Sequence, residues 1–371
     1  MTQVEVSEVT LKPRANPDLS GHAAAEETLK TAANSGRLSH AWLIRGPRGI
    51  GKATLAFRFA RWLLATLGDN NFTVPPPPGL FGDMLPQSSD VFDGTGLFLS
   101  PENPVFRRSA AAGHADLMTI EVGLDDRGRR RREIVAADVR EVSGFLSKTP
   151  AEGGWRVVII DSADDMNRHA ANAVLKVLEE PPRRAVLLLI SHNPGRLLAT
   201  IRSRCRSLAL RPLADDTINT LLTQYRPEIS SEDRATLTQL AEGSIGRAIE
   251  LAGEGGLDIY HNLMGLIGNL PDLDMLQLHR FTDQMGRQEG EQMFHAAADL
   301  LRWWLARRIA HAAGGTGNAL AVGASSAGSL EPLLEVWENV NHLLAHTDAV
   351  NLDRRQVMMN AVLAVREAAI I

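Results

Sequence analysis

The chain has 371 residues, of which 44% are hydrophobic and 22% charged, and its formal net charge is -5. That length suits two or three domains, and the acidic balance argues against a globally basic nucleic-acid binder while leaving room for a local basic face. The single cysteine, Cys205, excludes an internal disulfide and a multi-cysteine zinc site. The N-terminal stretch has acidic residues and no apolar core, and no run approaches ~18 apolar residues, so neither a secretory signal nor a membrane span is expected. These features predict a cytoplasmic protein.

Taken in chain order, residues 1–20 read as a polar leader, and the alanines with Glu26, Glu27 and Leu29 predict a helix over 22–34. Ala41 to Ile44 reads as a buried strand, followed by a glycine-rich turn. The helix after it has Leu55, Phe59, Trp62, Leu63 and Leu67 at helical spacing and ends at Gly68. Residues 69–113 contain Pro75-Pro76-Pro77-Pro78 and little periodicity, so they read as a loop or insertion, with order resuming at His114. A strand is predicted over 117–122 and a helix over 134–147. A second buried strand covers Val157 to Ile160. The next helix carries Met166, Ala170, Ala173, Val174, Val177 and Leu178 on one face and stops at Pro181-Pro182. A third buried strand spans 185–191. Strands alternating with helices predict an α/β fold, a mostly parallel sheet with helices on both faces. Beyond Pro212 the strand signal ends. Residues 214–252 predict about three helices, with Ser230 and Asp233 spaced as a capping box. Residues 257–371 read as helical, interrupted by the glycine- and serine-rich stretch 313–329.

Gly46-Pro47-Arg48-Gly49-Ile50-Gly51-Lys52 lies between a strand and a helix, the setting of a phosphate-binding loop. Glycines let backbone N–H groups turn inward around phosphate oxygens, the helix N-terminus adds a favourable dipole, and Lys52 adds a mobile positive charge. Two positions depart from a working site. Ala53 stands where a Ser or Thr hydroxyl would hold magnesium. Thr54 follows, but one helical step turns its side chain ~100° away. The second buried strand ends in Asp161, suited to a magnesium-associated acid, yet Ser162 occupies the place of a water-polarising glutamate and is an uncharged, poor base. Asp164 and Asp165 read as acids at a helix N-terminus. Both losses predict little or no turnover by this chain alone.

The stretch from Val157 to Leu213 contains DSADDMN, AANAVLKVLEEPP, LLATIRSRC and RPL. With GHAAAEETL and SHAWLIRGPRGIGKATLA upstream, it resembles the clamp-loader branch of the AAA+ ATPases over most of residues 17–252, and more weakly at NLDRRQVMMNAV. The resemblance implies a P-loop AAA+ module over 1–212, a helical lid over 213–253 and an all-α collar over 254–371 that packs with other subunits. It implies that Arg204, in Ser203-Arg204-Cys205, is an arginine finger acting in trans on a neighbour's ATP. Asn193 falls at the family's first sensor position and Arg247 at the second; by themselves these residues also read as a turn residue and a solvated helix arginine. The implied nucleotide site is then Gly46, Gly49, Gly51, Lys52, Thr54, Asp161, Asn193 and Arg247, a weak or vestigial site for ATP or ADP. Many relatives bind zinc through four cysteines after the phosphate-loop helix. Those cysteines are missing here, and His22, His40 and His114 form no ligand set by spacing, so no zinc or other metal is expected. The implied work is loading a sliding clamp onto primer-template DNA during DNA replication. Its partners would be the ATPase subunits and a delta-like subunit of the loader. The basic run Arg129 to Arg132 suits DNA phosphates or a solvated turn, and Cys205 reads as packing rather than a nucleophile. The competing readings are an active AAA+ motor and a pure interaction scaffold.

Overall fold

Five short strands, β1 (Ala41–Arg45), β2 (Leu117–Ile120), β3 (Arg156–Ile160), β4 (Ala185–Ser191) and β5 (Arg206–Ala209), form one sheet in the order β2-β3-β4-β1-β5. Every pairing is parallel. The computed structural model describes residues 12–66, 96–124, 128, 131–152, 154–253, 255–268, 270–286, 290–314, 330–350 and 352–370. β1, β3 and β4 are near-continuous apolar runs because both faces of a parallel sheet are covered. Side chains alternate between those faces. Trp42, Ile44, Val157, Ile159, Val186 and Leu188 enter one core, and Ala41, Leu43, Val158, Ile160, Leu187 and Leu189 enter the other.

The helices α1 (Ala23–Asn34) and α2 (Lys52–Thr66) supply Leu29, Leu55, Phe59 and Leu63 to the first core. On the opposite face α4 (Ala136–Ser147), α5 (Arg168–Glu179) and α6 (Ala199–Arg204) supply Val139, Val142, Val174, Leu178 and Ile201. The Asn167 side chain caps α5 by accepting from the Ala170 amide at 2.9 Å.

Residues 96–113 differ from the loop expected for them. They contain the helix α3 (Pro104–Ala110), and Leu97, Leu99, Val105 and Phe106 are buried in the first core. Asn103 caps α3 through the Val105 amide at 2.8 Å, and Pro104 sits at its first turn, where a missing N–H costs nothing. Seven residues make only two turns, too short to display a helical period, and it is tertiary burial that stabilises them. The buried Arg61 guanidinium lies 4.3 Å from the Phe106 ring centre. Arg61 also donates to the carbonyls of Arg14 and Asn16, both at 2.7 Å, so it fastens the leader across α2. The proline run at 75–78, Gly68, Asp125, Asp126, Arg129, Arg130 and residues 315–329 lie outside the described residues.

Three helices follow the sheet, α7 (Asp215–Tyr225), α8 (Ser231–Ala241) and α9 (Ile245–Ala252). The Ser230 hydroxyl accepts from the Asp233 amide at 3.1 Å and donates to its carboxylate at 2.8 Å, the capping contact that the spacing suggests. By contacts the chain forms two compact units. One comprises Met1–Pro227 with Arg234–Arg247, and the other Glu228–Asp233 with Ala248–Ile371. The second unit is helical among its described residues: α10 (Gly256–Ile267), α11 (Met275–Met285), α12 (Gly290–Ala312), α13 (Leu330–Val350) and α14 (Arg354–Ile370). Its core includes Leu263, Phe281, Phe294, Leu301, Val340, Met358 and Val362. Among the described residues no helix is long and apolar enough to cross a membrane.

The packing of α3 gives a direct test of the segment misread as a loop. Phe106→Ala should destabilise the first unit by about 3–5 kcal/mol, measured as a lowered urea midpoint. A change near zero would show that α3 contributes no core.

Candidate functional site

β4 lies between β1 and β3, so three strand ends meet on one edge of the sheet. β1 opens into the phosphate loop, β3 into Asp161 and β4 into His192 and Asn193. Arg45 pairs with Ser191, and Ile160 with Leu189, which sets these ends side by side. The carboxyl ends of parallel strands are where open α/β sheets bind ligands.

Each carbonyl from Gly46 to Gly51 is held by a donor of the same chain. Lys52 Nζ donates to Gly46 O at 2.7 Å and also to Pro47 O. The Ser244 hydroxyl donates to Arg48 O at 2.8 Å, and the Gly246 amide to Gly49 O at 2.9 Å. His22 Nε2 lies 2.7 Å from Ile50 O, and the Leu55 amide donates to Gly51 O at 2.9 Å. A glycine-rich loop that leads from a strand into a helix N-terminus, with its carbonyls already bonded, is the arrangement whose amides can receive an anion. Gly49 has φ +74, and a side chain there would meet Ser244 Oγ at 2.3 Å and Gly246 Cα at 3.1 Å. The two glycines are what let the turn 244–247 approach the loop this closely.

Lys52 is 3% exposed. Burial lowers its pKa to about 8, against the opposing pull of Asp161 and Asp164 and with some help from Arg48. Its ammonium bonds the first carbonyls of the loop and is the charge best placed for a phosphate. The magnesium half of such a site does not fit as well. Ala53 offers no oxygen, Thr54 is buried on α2, and one Asp161 oxygen accepts from the Ser162 amide at 3.1 Å. The cradle thus suits a polyphosphate, while the residues that would position its metal and its water are incomplete.

Ser162 holds φ +32, an unfavourable backbone for a residue with a side chain. Its hydroxyl lies 2.9 Å from His192 Nε2, so the group in the glutamate's place is committed to a histidine. Burial, with Lys52 nearby, lowers the His192 pKa and favours the neutral ring. Asp164 and Asp165 stand in the first turn of a short 3-10 helix (Ala163–Asp165), as their reading as helix N-terminal acids expects, and Asp164 has a further, tertiary role. One oxygen accepts from the amides of His192 at 2.7 Å and Asn193 at 3.0 Å, so it fixes the tip of β4. Burial alone would raise its pKa; the contacts with Ser191 and the two amides outweigh that and lower it. The roles of His22, Ser244, Asp164 and His192 have no signal in the sequence, because each acts through a tertiary contact that no local spacing announces.

The remaining candidates do not all share this edge: Arg204 and Cys205 precede β5, whose Arg206 pairs with Trp42 near the start of β1, so they lie toward the opposite, amino end of the sheet. Asn193 is exposed at the β4 tip. Arg247 is half-buried, its amide donates to Ser244 Oγ at 3.1 Å, and its guanidinium lies 3.8 Å from Glu242. Arg204 ends α6. Its Nη1 donates to Thr200 O at 3.0 Å, and its Nη2 pairs with Glu179 at 2.9 Å. Cys205 is buried and burial raises its thiol to about 11, which leaves it a poor nucleophile. Arg131 is committed to both oxygens of Asp138 at 2.9 Å, so it is a structural member of the basic run, whereas Arg132 is exposed. No cluster of potential metal ligands occurs among the described residues.

Comparison with known proteins agrees with this geometry. Residues 101–214 match the family described as DNA polymerase III, delta subunit. The DNA polymerase III subunit delta' of Pseudomonas aeruginosa is 35% identical over 218 residues, 58% of this chain and 57% of that protein. The delta' subunit of Bacillus subtilis is 30% identical over 217 residues, 58% and 54% of the two chains. The tau subunit of Escherichia coli is 28% identical over 306 residues, 79% of this chain and 42% of that one. The matches therefore span about half the length of these curated relatives. With the parallel sheet and phosphate loop, they show that the chain is similar to clamp-loader subunits of DNA polymerase III. Among these its likeness is to the delta-prime subunit of DNA polymerase III.

The cradle makes a prediction about pH. The Lys52 ammonium is present at pH 7 and is lost as pH rises through about 8. Affinity for ADP, used as the probe in calorimetry, should therefore fall between pH 7 and 9, by up to about tenfold per pH unit above the pKa. Lys52→Ala should bind weakly with no such slope. A wild-type affinity that is flat over this range would contradict the role given to Lys52.

Proposed function

We propose that this chain serves as a delta-prime-like, non-hydrolysing subunit of a DNA polymerase III clamp loader. It would help load a sliding clamp onto primer-template DNA during DNA replication. One observation carries the reading. The Ser203-Arg204-Cys205 motif is retained at the end of α6, just before β5, while the chain's own site lacks the hydroxyl at Ala53 and the carboxylate at Ser162. A finger and a motor site serve different active centres, so one can persist when the other decays. Ile201 is fully buried and Cys205 nearly so, which anchors the backbone on either side of Arg204. An arginine brought to a neighbouring subunit's ATP would stabilise charge growing on the transferring phosphoryl group.

In this proposal residues 1–212 are the AAA+ module, 213–253 the lid and 254–371 the collar that assembles with other subunits. The partners are ATPase subunits and a delta-like subunit. The sliding clamp and DNA are engaged through the assembled complex in the cytoplasm. Gly46, Gly49, Gly51, Lys52 and Arg247 would hold ATP or ADP weakly, with Thr54, Asp161 and Asn193 bordering the site. Bound nucleotide would supply the phosphates that the loop encloses; this chain's residues would bind and orient them without activating water. The likeness to tau keeps an active motor as the rival, and Ala53 and Ser162 speak against it. The second rival is a scaffold with no part in the reaction.

The deciding experiment uses the reconstituted loader. Arg204→Ala should leave assembly intact and lower turnover at the site it serves by about 10³-fold or more, seen as a marked fall in DNA-stimulated ATPase. Unchanged ATPase with intact assembly would favour the scaffold.

A further inference from the structure

The Glu179–Arg204 pair is the strongest arrangement left unexplained by the site itself. Glu179 is the last residue of α5, ahead of the proline pair that ends the helix. An acid at that end faces the negative pole of the helix dipole, which disfavours it locally. Its partner Arg204 lies 25 residues further on, at the end of α6, which packs against α5. The carboxylate holds Nη2 at 2.9 Å, while the Thr200 carbonyl, four residues before Arg204, holds Nη1 at 3.0 Å. The guanidinium is gripped by two acceptors at once. The side chains are 36% exposed for Arg204 and 52% for Glu179, so the pair stays partly open to solvent, and a guanidinium has five N–H donors.

We propose that Glu179 is a positioning residue for Arg204, fixing the guanidinium in the orientation it presents to a neighbouring subunit's phosphate. The inference rests on the reading of Arg204 as a finger and goes beyond it by assigning a second residue to that work. An arginine side chain is flexible, and a free one would lose its rotamer freedom at the moment of reaction. Contacts to Thr200 O and Glu179 impose that loss in advance. In solution an exposed ion pair is weak. At a subunit interface water is displaced and the same pair strengthens. Glu179 touches no nucleotide in this scheme and acts only through Arg204.

The test is a double-mutant cycle in the reconstituted loader, with ATP hydrolysis measured in the presence of primer-template DNA and the clamp. Glu179→Gln keeps the shape and removes the charge. It should lower kcat about threefold to tenfold with KM for ATP and assembly unchanged. In the Arg204→Ala background the same substitution should have no further effect, a result that a merely structural role would not give. If Arg204→Ala lowers the rate and Glu179→Gln leaves it unchanged or raises it, the positioning role is wrong and the finger stands. An equal loss in both backgrounds also overturns the positioning role. If Arg204→Ala has no effect, the finger reading falls and takes this inference with it.

Discussion

The loop from Gly46 to Lys52 has every carbonyl from Gly46 to Gly51 hydrogen-bonded, three of them by groups distant in sequence. His22 at the start of α1, Ser244 and Gly246 after α8, and Lys52 at the start of α2 all hold it. Each such bond contributes about 0.5–1.5 kcal/mol net. Together they hold the loop backbone in place. The sheet order adds the second constraint. With β4 between β1 and β3, Asp161, Ser162 and His192 must gather beside the loop. The anion cradle and the chemical apparatus are therefore separable. The first depends on backbone and glycine geometry, and the second on a hydroxyl that is missing at Ala53 and a carboxylate that is missing at Ser162.

That separation explains how a chain can retain a phosphate loop as architecture. Gly49 and Gly246 meet back to back, and removing either contact would loosen the turn 244–247 together with the loop. Asp164, a residue with no direct role in phosphate binding, holds the β4 tip through two backbone amides. Ser162 is occupied with His192. The edge at the carboxyl ends of the strands is an internally bonded surface.

Much of this was legible from sequence where the signal is local. The apolar runs at Val157–Ile160 and 185–191 announced buried parallel strands, and the glycine spacing before Lys52 announced the loop. Period and turn chemistry carry that information directly. The helix at Pro104–Ala110 was read as loop because two turns show no period and its stability comes from burial against α2. His22 was weighed only as a metal ligand, whereas it bonds the Ile50 carbonyl. Asp164 does stand in the first turn of a short 3-10 helix, but its bonds to amides 28 and 29 residues away have no local signal. The tie between Glu179 and Arg204 likewise depends on how α5 and α6 pack, which no spacing within either helix reveals.

The central claim is that the cradle persists without the means to activate water. ATP hydrolysis by the isolated wild-type chain, with magnesium and set against Lys52→Ala, measures this most directly. The account predicts that the two proteins release phosphate at the same background rate. Turnover by the wild type that Lys52→Ala abolishes would contradict it, and would show that Ser162 and His192, or another group, do the work assigned elsewhere to a glutamate.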